Sequence, residues 1–134
     1  SFVENVDRSR VLTVGTAGEA AKFILNKGDS VPRALEVMEE SGLSFAFVMD
    51  GDRLHGAVRK RDVELEAEKE EPDLEHVILD VEDPVGPETR LIEVLAKSSR
   101  TRAPLPVLDE EGNLTGAVTK DMLLNAISGE GEGR

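Results

Sequence analysis

Apolar positions along the chain follow a helical period in some segments and a strand period in others. The first clear helix is marked by apolar residues at the i, i+3, i+4, i+7 spacing of one buried face: Val31, Ala34, Leu35 and Met38. Asp29 and Ser30 are suited to cap its start, Pro32 to its first turn and Gly42 to its end. The sequence therefore predicts an amphipathic helix that covers a core on one side.

A strand pair and a second helix follow. Two apolar runs, 44–49 and 54–58, flank an Asp/Gly-containing turn, which predicts a β-hairpin. A closing helix is predicted over 61–71, where Pro72 would end it. We interpret its acidic residues as a solvated face: Glu64, Glu66, Glu68, Glu70 and Glu71.

The same order of elements occurs twice, at an offset of 57 to 60 residues. Gly56-Ala57-Val58 is repeated as Gly116-Ala117-Val118, and the run 47–50 is answered by 106–109. The second copy is predicted to have a helix marked by Leu91, Ile92, Val94 and Leu95 with Thr89 as N-cap, strands at 103–108 and 114–118, and a closing helix at 120–127. A short helix and an extended segment precede each copy: helices at 16–23 and 73–79, extended segments at 24–27 and 81–85.

Composition narrows the class of protein. The 134 residues carry a formal net charge of -12 and contain no Cys, Trp or Tyr. The acidity argues against general binding to nucleic acid or to an anionic membrane, although one small anion could still bind in a locally basic pocket. Because no apolar stretch approaches the roughly 18 residues of a membrane span, we expect no direct membrane insertion. The lack of cysteine fits a reducing cytoplasm.

Each hairpin ends in a short motif, Gly56-Ala57-Val58-Arg59-Lys60-Arg61-Asp62 in the first copy and Gly116-Ala117-Val118-Thr119-Lys120-Asp121-Met122 in the second. The motif resembles the Gly-apolar-apolar-Thr/Ser-x-x-Asp/Asn signature of the CBS domain, and the pair resembles a Bateman module. The resemblance implies an α/β fold of two tandem CBS-type repeats (helix-strand-helix-strand-strand-helix) packed with pseudo-two-fold symmetry. We assign the segments as follows: 1–13 to a linker from a preceding domain, 14–71 to the first repeat, 72–128 to the second and 129–134 to a flexible tail.

The two edges of the chain carry a narrower resemblance. Residues 2–12 and 116–127 are similar to stretches of the ATP-binding subunits of glycine betaine and other quaternary-amine ABC importers. This implies a regulatory module without catalytic activity, cytoplasmic and peripheral to the inner membrane, that controls transport by dimerisation and by sensing a ligand or ionic strength. Its expected partners are a second copy, the ABC ATPase domain and the membrane permease of the parent transporter. Two alternatives stay open: a free-standing adenine-nucleotide-binding CBS protein, and a ligand-free structural dimerisation domain.

The resemblance also implies a ligand site, because the motif's hydroxyl and carboxylate bind ribose and phosphate in CBS domains. On this chain the site would be formed by Asp62, Arg59, Lys60, Thr119, Lys120, Pro104 and Leu105, and an adenine nucleotide or cyclic dinucleotide would be the ligand. Both copies depart from the pattern, since Arg59 replaces the hydroxyl of the first and Met122 the carboxylate of the second. The competing interpretation is that Asp62 and Thr119 cap their helices.

Residues 59–61, with Arg53 nearby, form the densest basic run of this acidic chain. They are suited either to a phosphate group or to ion pairs with the surplus glutamates. Arg100 and Arg102 allow the same two interpretations.

Three other residue patterns say less about function. Pro104 and Pro106 alternate within a predicted strand, which indicates a sheet edge, either lining a cleft or protected from aggregation. His55 and His76 have no partner at ligand spacing, so we predict no metal site. Residues 15–22 fail the P-loop pattern and no catalytic constellation stands out, so we predict no enzyme active site.

Overall fold

The computed structural model describes residues 23–125, which divide into two compact units, one up to Val81 and one from Glu82. Each unit carries one copy of the repeat. The predicted linker 1–13, the helix at 16–23 apart from its last residue, and the tail 129–134 lie outside the described residues. Within the described range, no helix is long and apolar enough to span a bilayer.

The first unit is built in chain order from β1 (Ile24–Asn26), α1 (Val31–Ser41), β2 (Phe45–Asp50), β3 (Arg53–Arg59), α2 (Lys60–Glu66) and a 3-10 helix (Leu74–Val77). β1 pairs in parallel with β2, which pairs antiparallel with β3. The signals that frame α1 act as predicted. The Ser30 side chain accepts a hydrogen bond from the Arg33 N–H, Pro32 lies in the first turn, and Gly42 ends the helix with a φ of 72°.

The core of this unit is aliphatic on the side that the helices cover. It consists of Leu25, Val31, Ala34, Val37, Met38, Ala46, Val48, Val58, Val63 and Leu74. Three phenylalanines, Phe23, Phe45 and Phe47, are buried together with ring centroids 5.7 to 5.8 Å apart in tilted and edge-to-face contacts. These buried residues alternate along β2, so this strand has both faces covered.

The second unit contains α3 (Leu91–Ser99), β4 (Leu105–Leu108), β5 (Leu114–Val118) and a helical segment, α4, of which residues 120–125 are described. Its core consists of Val85, Val94, Leu105, Val107, Val118 and Leu123. The strand predicted at 103–108 begins two residues later than expected, at Leu105. Ile92 does not belong to this core, because it lies on the exposed side of α3.

The two hairpins share a register, which confirms the internal repeat in three dimensions. Val48 lies opposite Gly56 in the first, and Val107 lies opposite Gly116 in the second. A β-bulge follows at once in both, and it leaves one extra residue on the second strand, His55 in the first repeat. Bulges redirect side chains at the point where a ladder is interrupted.

The repeats differ in the strand that precedes α1 and α3. The predicted extended segment 81–85 is reduced to one parallel bridge, in which the Val85 N–H donates to the Pro106 carbonyl and the Leu108 N–H donates to the Val85 carbonyl, each at 2.9 Å. A longer parallel ladder would next need the N–H of residue 106, which proline lacks. Pro106 is thus one reason why the described segment 81–85 forms a single bridge to β4 rather than a strand as long as β1.

Two predicted helices are wrong in length or type. α2 ends at Glu66, six residues before Pro72, so the residues of the acidic run beyond Glu66 do not extend a helix face. The helix predicted at 73–79 is a single 3-10 turn, with the Asp73 carboxylate accepting a hydrogen bond from the Glu75 N–H. The chain then leaves helical geometry because Leu79 forms an antiparallel bridge with Ala57 of β3.

Thr89 is not the N-cap of α3. Its Oγ1 accepts a hydrogen bond from the Gly86 N–H at 2.9 Å and closes the turn before the helix. The N-cap position is occupied by Arg90, whose side chain makes no capping bond.

Candidate functional site

The two motif segments occupy the same structural position, where the second hairpin strand passes into the closing helix. In the first repeat Arg59 is the last residue of β3 and the N-cap of α2, and its exposed side chain makes no capping bond. In the second repeat Thr119 directly follows β5, and its Oγ1 accepts a hydrogen bond from the Met122 N–H at 3.2 Å. Thr119 therefore caps its helix, while its hydroxyl proton can still be donated to a ligand oxygen.

Asp62 and Lys60 stand in the first turn of α2. Asp62 is the third helical residue and partly buried, so it does not occupy the cap position considered for it. The Lys60 ammonium lies 3.3 Å from Glu39 Oε2, and its backbone N–H donates to the Ser44 carbonyl at 2.8 Å. A carboxylate in the first turn is favourably placed for the helix dipole, with or without a ligand.

Some of the basic residues form ion pairs with acidic side chains, and others are left exposed to a phosphate. Lys60 pairs with Glu39, and Arg100 pairs with Glu82 at 2.8 Å, as expected for surplus acidic side chains. Among residues 23–125 no ion pair involves Arg59 or Arg61, and both side chains are exposed. These two guanidinium groups are therefore accessible to a phosphate.

The remaining candidate residues differ in the solvent exposure of their side chains. Lys120 is exposed at the first position of α4. Pro104 is buried, and Leu105 is only 1% exposed because its side chain belongs to the core opposite Val118. The Leu105 side chain is thus occupied by packing, and only its backbone could face a ligand.

Sequence reasoning missed a buried carboxylate, because Glu66 was placed on the solvated face of α2. Its side chain has no exposed surface. Oε2 accepts hydrogen bonds from the Asp73 N–H at 3.0 Å and from His76 Nδ1 at 2.7 Å, and Oε1 lies 3.0 Å from the Lys69 ammonium. The spacing from Val63, three residues earlier on the buried face of the same helix, is the signal that could have revealed it.

The surroundings of Glu66 favour its ionised form. The Asp73 N–H, then His76 and Lys69, lower the pKa of the Glu66 carboxyl to about 2, against the opposing effect of burial. The Lys69 ammonium lies 3.0 Å from Oε1 and offsets the negative charge of this buried carboxylate.

Each histidine contacts a carboxylate of the first repeat. Between residues 23 and 125, no three His, Cys, Asp or Glu side chains converge as metal ligands would. His55 Nε2 instead contacts Glu75 Oε2 at 3.3 Å, and His76 contacts Glu66.

The repeated hairpin, bulge and helix agree with a comparison against protein families. The model of the CBS domain matches this chain twice, at residues 19–66 and 80–129. The chain belongs to the CBS-domain family. The resemblance based on the two Gly-Ala-Val motifs is thereby confirmed, as is an α/β fold of two CBS repeats.

Two curated relatives of this CBS pair are transport ATP-binding proteins. The chain is 34% identical to the glycine betaine transport ATP-binding protein OpuAA of Bacillus subtilis (strain 168) over 98% of its own length and 31% of the relative. It is 31% identical to the glycine betaine/carnitine transport ATP-binding protein GbuA of Listeria monocytogenes serotype 1/2a (strain 10403S) over 96% of its length and 32% of the relative. The CBS pair thus spans about a third of the curated relatives it matches.

Solved structures agree on the fold. A hemolysin-like protein containing a CBS domain from Oenococcus oeni PSU superposes with a TM-score of 0.71, covering 93% of each chain at 17% identity. At that identity the likeness supports the fold alone.

Proposed function

We propose that this CBS pair is the non-catalytic regulatory module of the ATPase subunit of an osmoprotectant ABC transporter, with glycine betaine, carnitine or choline as the transported class. The observation that carries this proposal is the match of nearly the whole chain to two glycine betaine transport ATP-binding proteins at 34% and 31% identity. The proposed partners are a second copy of the module, the ATPase domain and the membrane permease.

A homodimer is supported by the exposed apolar side chains. Leu65 of α2, Ile92 of α3 and Leu124 of α4 are 58 to 66% exposed, and all three lie on helices. Large apolar side chains on helix surfaces are the groups that an interface between copies would cover.

Ionic strength is one signal that such a dimer would sense. Each copy carries a net charge of -12, so two copies repel each other at long range. The screening length shortens from about 10 Å at 0.1 M salt to about 3 Å at 1 M salt. A rise in cytoplasmic salt would therefore favour the associated state.

A phosphate-bearing ligand is the second signal. The first repeat offers Asp62 with the exposed guanidinium groups of Arg59 and Arg61, and the second offers the Thr119 hydroxyl beside Lys120. Cations and a hydroxyl suit phosphate, and a carboxylate suits ribose hydroxyls. An adenine nucleotide or a cyclic dinucleotide carries both groups.

Thermal unfolding followed by circular dichroism tests ligand binding directly. A ligand at about 100 times its dissociation constant adds about 2.7 kcal/mol of stability, or roughly 10 °C for a chain of this size. We expect Asp62→Ala or Thr119→Ala to abolish the shift produced by the active nucleotide, whereas Arg33→Ala, an exposed change on α1, should leave it intact. No shift with adenine nucleotides or cyclic dinucleotides would remove the ligand from the proposal and leave the salt response.

The departures in both motifs favour one alternative, a dimerisation domain without a ligand. Neither repeat has both the hydroxyl and the carboxylate of the motif, because Arg59 replaces the hydroxyl in the first repeat and Met122 replaces the carboxylate in the second. Indifference of both stability and association to nucleotides and to salt would support this alternative.

A further inference from the structure

The outer edge of β3, on the side away from β2, is covered by a segment that follows α2. Ala57 and Leu79 exchange two backbone hydrogen bonds of 2.7 and 3.0 Å, so residue 79 adds an antiparallel bridge at that edge. The approach is close because Gly56 has no side chain, and a Cβ there would lie 2.6 Å from the Leu79 carbonyl oxygen. The covering segment thus accounts for the glycine of the first Gly-Ala-Val motif.

The second repeat has the same edge in the same register. Ala117 of β5 lies opposite Pro106. Ala57 has the equivalent position opposite Phe47 in the first repeat. The Pro106 carbonyl accepts a hydrogen bond from the Val85 N–H, so it points away from β5. In an antiparallel pair the backbone groups of two opposed residues either face each other or both face outward, so the N–H and C=O of Ala117 point to the outer edge of β5.

This outer edge of β5 is buried. Ala117 has no exposed surface, and Gly116 is buried beside it. Within residues 23–125, however, β5 pairs with β4 alone. Buried backbone N–H and C=O groups are almost always hydrogen-bonded, because leaving one unpaired costs as much as a lost hydrogen bond. The edge therefore requires an extended segment from outside that range.

Local turns occupy the backbone at the opposite end of the strand order in both repeats. The Asn26 N–H at the end of β1 donates to the Asp29 carboxylate at 2.8 Å. At the equivalent point of the second repeat, the Gly86 N–H donates to Thr89 Oγ1 at 2.9 Å. Such local bonds protect a sheet edge from further pairing. The outer edge of β5 is therefore the place where a further strand fits.

The chain before Phe23 contains a run of four residues suited to that strand. Val11-Leu12-Thr13-Val14 consists of β-branched and aliphatic residues, like the run Val77-Ile78-Leu79 that covers β3. Its flanks are unsuited to a strand, since 4–10 are mostly polar and 15–22 contain two glycines and three alanines. The eight residues 15–22 can span roughly 25 to 30 Å when extended, which leaves the run free to reach a separate sheet edge.

We propose that the outer edge of β5 is the docking site of the chain's own N-terminal segment, with residues 11–14 pairing antiparallel to β5 as residue 79 pairs with β3. Gly116 would admit the close approach of this segment, as Gly56 admits that of Leu79. The end of the predicted linker 1–13 would then belong to the second repeat, although it precedes the first in sequence. This docking does not depend on the proposed transporter, ligand or dimer.

Nuclear Overhauser spectroscopy on the unaltered 134-residue chain tests the docking directly. We expect the Ala117 amide to show cross-peaks to residues 11–14 of the same chain. Mixing isotope-labelled with unlabelled chains separates contacts within one chain from contacts between copies. An Ala117 amide that contacts none of residues 11–14, or that contacts only a second copy, would overturn the proposal.

Proline substitution tests whether the contact is backbone pairing. Neighbouring residues of a strand direct their N–H groups to opposite sides, so only one of Leu12→Pro and Thr13→Pro removes the donor that faces β5. We expect that variant to speed hydrogen exchange of the Ala117 amide about tenfold or more, and the other to change it much less. The Val94 amide of α3 reports whether the second repeat stays folded, and Asp7→Pro, outside the run, should leave Ala117 protected.

Unchanged exchange of the Ala117 amide in both proline variants would contradict the docking. Equal loss of protection in Leu12→Pro, Thr13→Pro and Asp7→Pro would contradict it as well, because a paired strand is interrupted only within its own residues. If the Val94 amide also loses protection, the cross-peaks of the unaltered chain decide.

Discussion

Gly56 tests the packing of the first repeat most sharply. A Cβ at this position would lie 2.5 Å from Ile78 Cγ2 and 2.6 Å from the Leu79 carbonyl oxygen. The Ile78 side chain can rotate away, but the Leu79 carbonyl is backbone and is held by the Ala57 N–H at 3.0 Å. Gly56→Ala must therefore push residues 78 and 79 off β3.

The cost follows from what that displacement breaks. Two backbone hydrogen bonds between Ala57 and Leu79 contribute about 1 kcal/mol each. Overpacking of a well-filled contact costs about 1 kcal/mol or more. We expect Gly56→Ala to lower the free energy of unfolding by about 3 kcal/mol, which corresponds to roughly 10 °C in the unfolding midpoint.

Far-UV circular dichroism in a urea series is the suitable assay, because the chain has no Trp or Tyr for fluorescence. The matched control is Gly28→Ala. Gly28 has a φ of 96°, but a Cβ added there would meet nothing within 4 Å, so only backbone strain of about 1 kcal/mol is expected. If Gly56→Ala destabilises the protein no more than Gly28→Ala does, the close approach of the 78–79 segment to β3 is wrong.

Three further predictions concern other parts of the chain. The pKa of the Glu66 carboxyl is lowered from 4.5 to about 2, so Glu66 contributes stability that is present above about pH 4.5 and lost as the pH falls through about 2. In acid titrations followed by circular dichroism, Glu66→Gln should therefore lose less stability over that range than the parent protein. Equal losses in the two proteins would contradict this. Thr119→Ala should cost about 1 kcal/mol in urea unfolding by removing the cap of α4, whereas Thr119→Ser should cost little. Val94→Ala should lower the free energy of unfolding by about 2 to 3 kcal/mol because the side chain is fully buried. The control Glu93→Ala, on the exposed side of α3, should change it by no more than about 0.5 kcal/mol. Comparable losses for the two variants would contradict the packing of α3.

The repeat and its elements were predictable because they rest on local signals. The apolar spacing and caps of α1 gave its position, and the Asp/Gly turns between apolar runs gave both hairpins. The Gly-Ala-Val motif occurs twice and was sufficient to indicate the family, since it recurs with the same elements around it.

The errors arose where long-range contacts override local preference. The Glu-rich run after residue 60 has strong helix propensity, yet α2 ends at Glu66 because that side chain turns inward to hold Asp73 and His76. The β-bulge that directs His55 toward Glu75 has no signal in the sequence apart from the repeat itself. Pro106 was interpreted only as a sign of a sheet edge, and the bridge between Val85 and Val107 was needed to show which hydrogen bond the proline removes.

The candidate ligand site was predictable only in outline. The motif places Arg59 and Thr119 at equivalent points of their repeats, as the structure also shows. Whether a side chain is free or engaged depends on its partners in space, and these separate Lys60, paired with Glu39, from the exposed Arg59 and Arg61.

The regulatory proposal depends most directly on whether association of this CBS pair responds to salt. Sedimentation equilibrium at about 0.1 M and about 1 M potassium chloride measures the dimer dissociation constant across the range in which screening changes most. The proposal predicts that the dimer dissociation constant falls on the order of tenfold at high salt, because the repulsion between two chains of charge -12 is screened. It also predicts that Ile92→Ser weakens the dimer at both salt concentrations. A dissociation constant that does not change with salt, or a chain that stays monomeric throughout, would contradict the salt-sensing dimer.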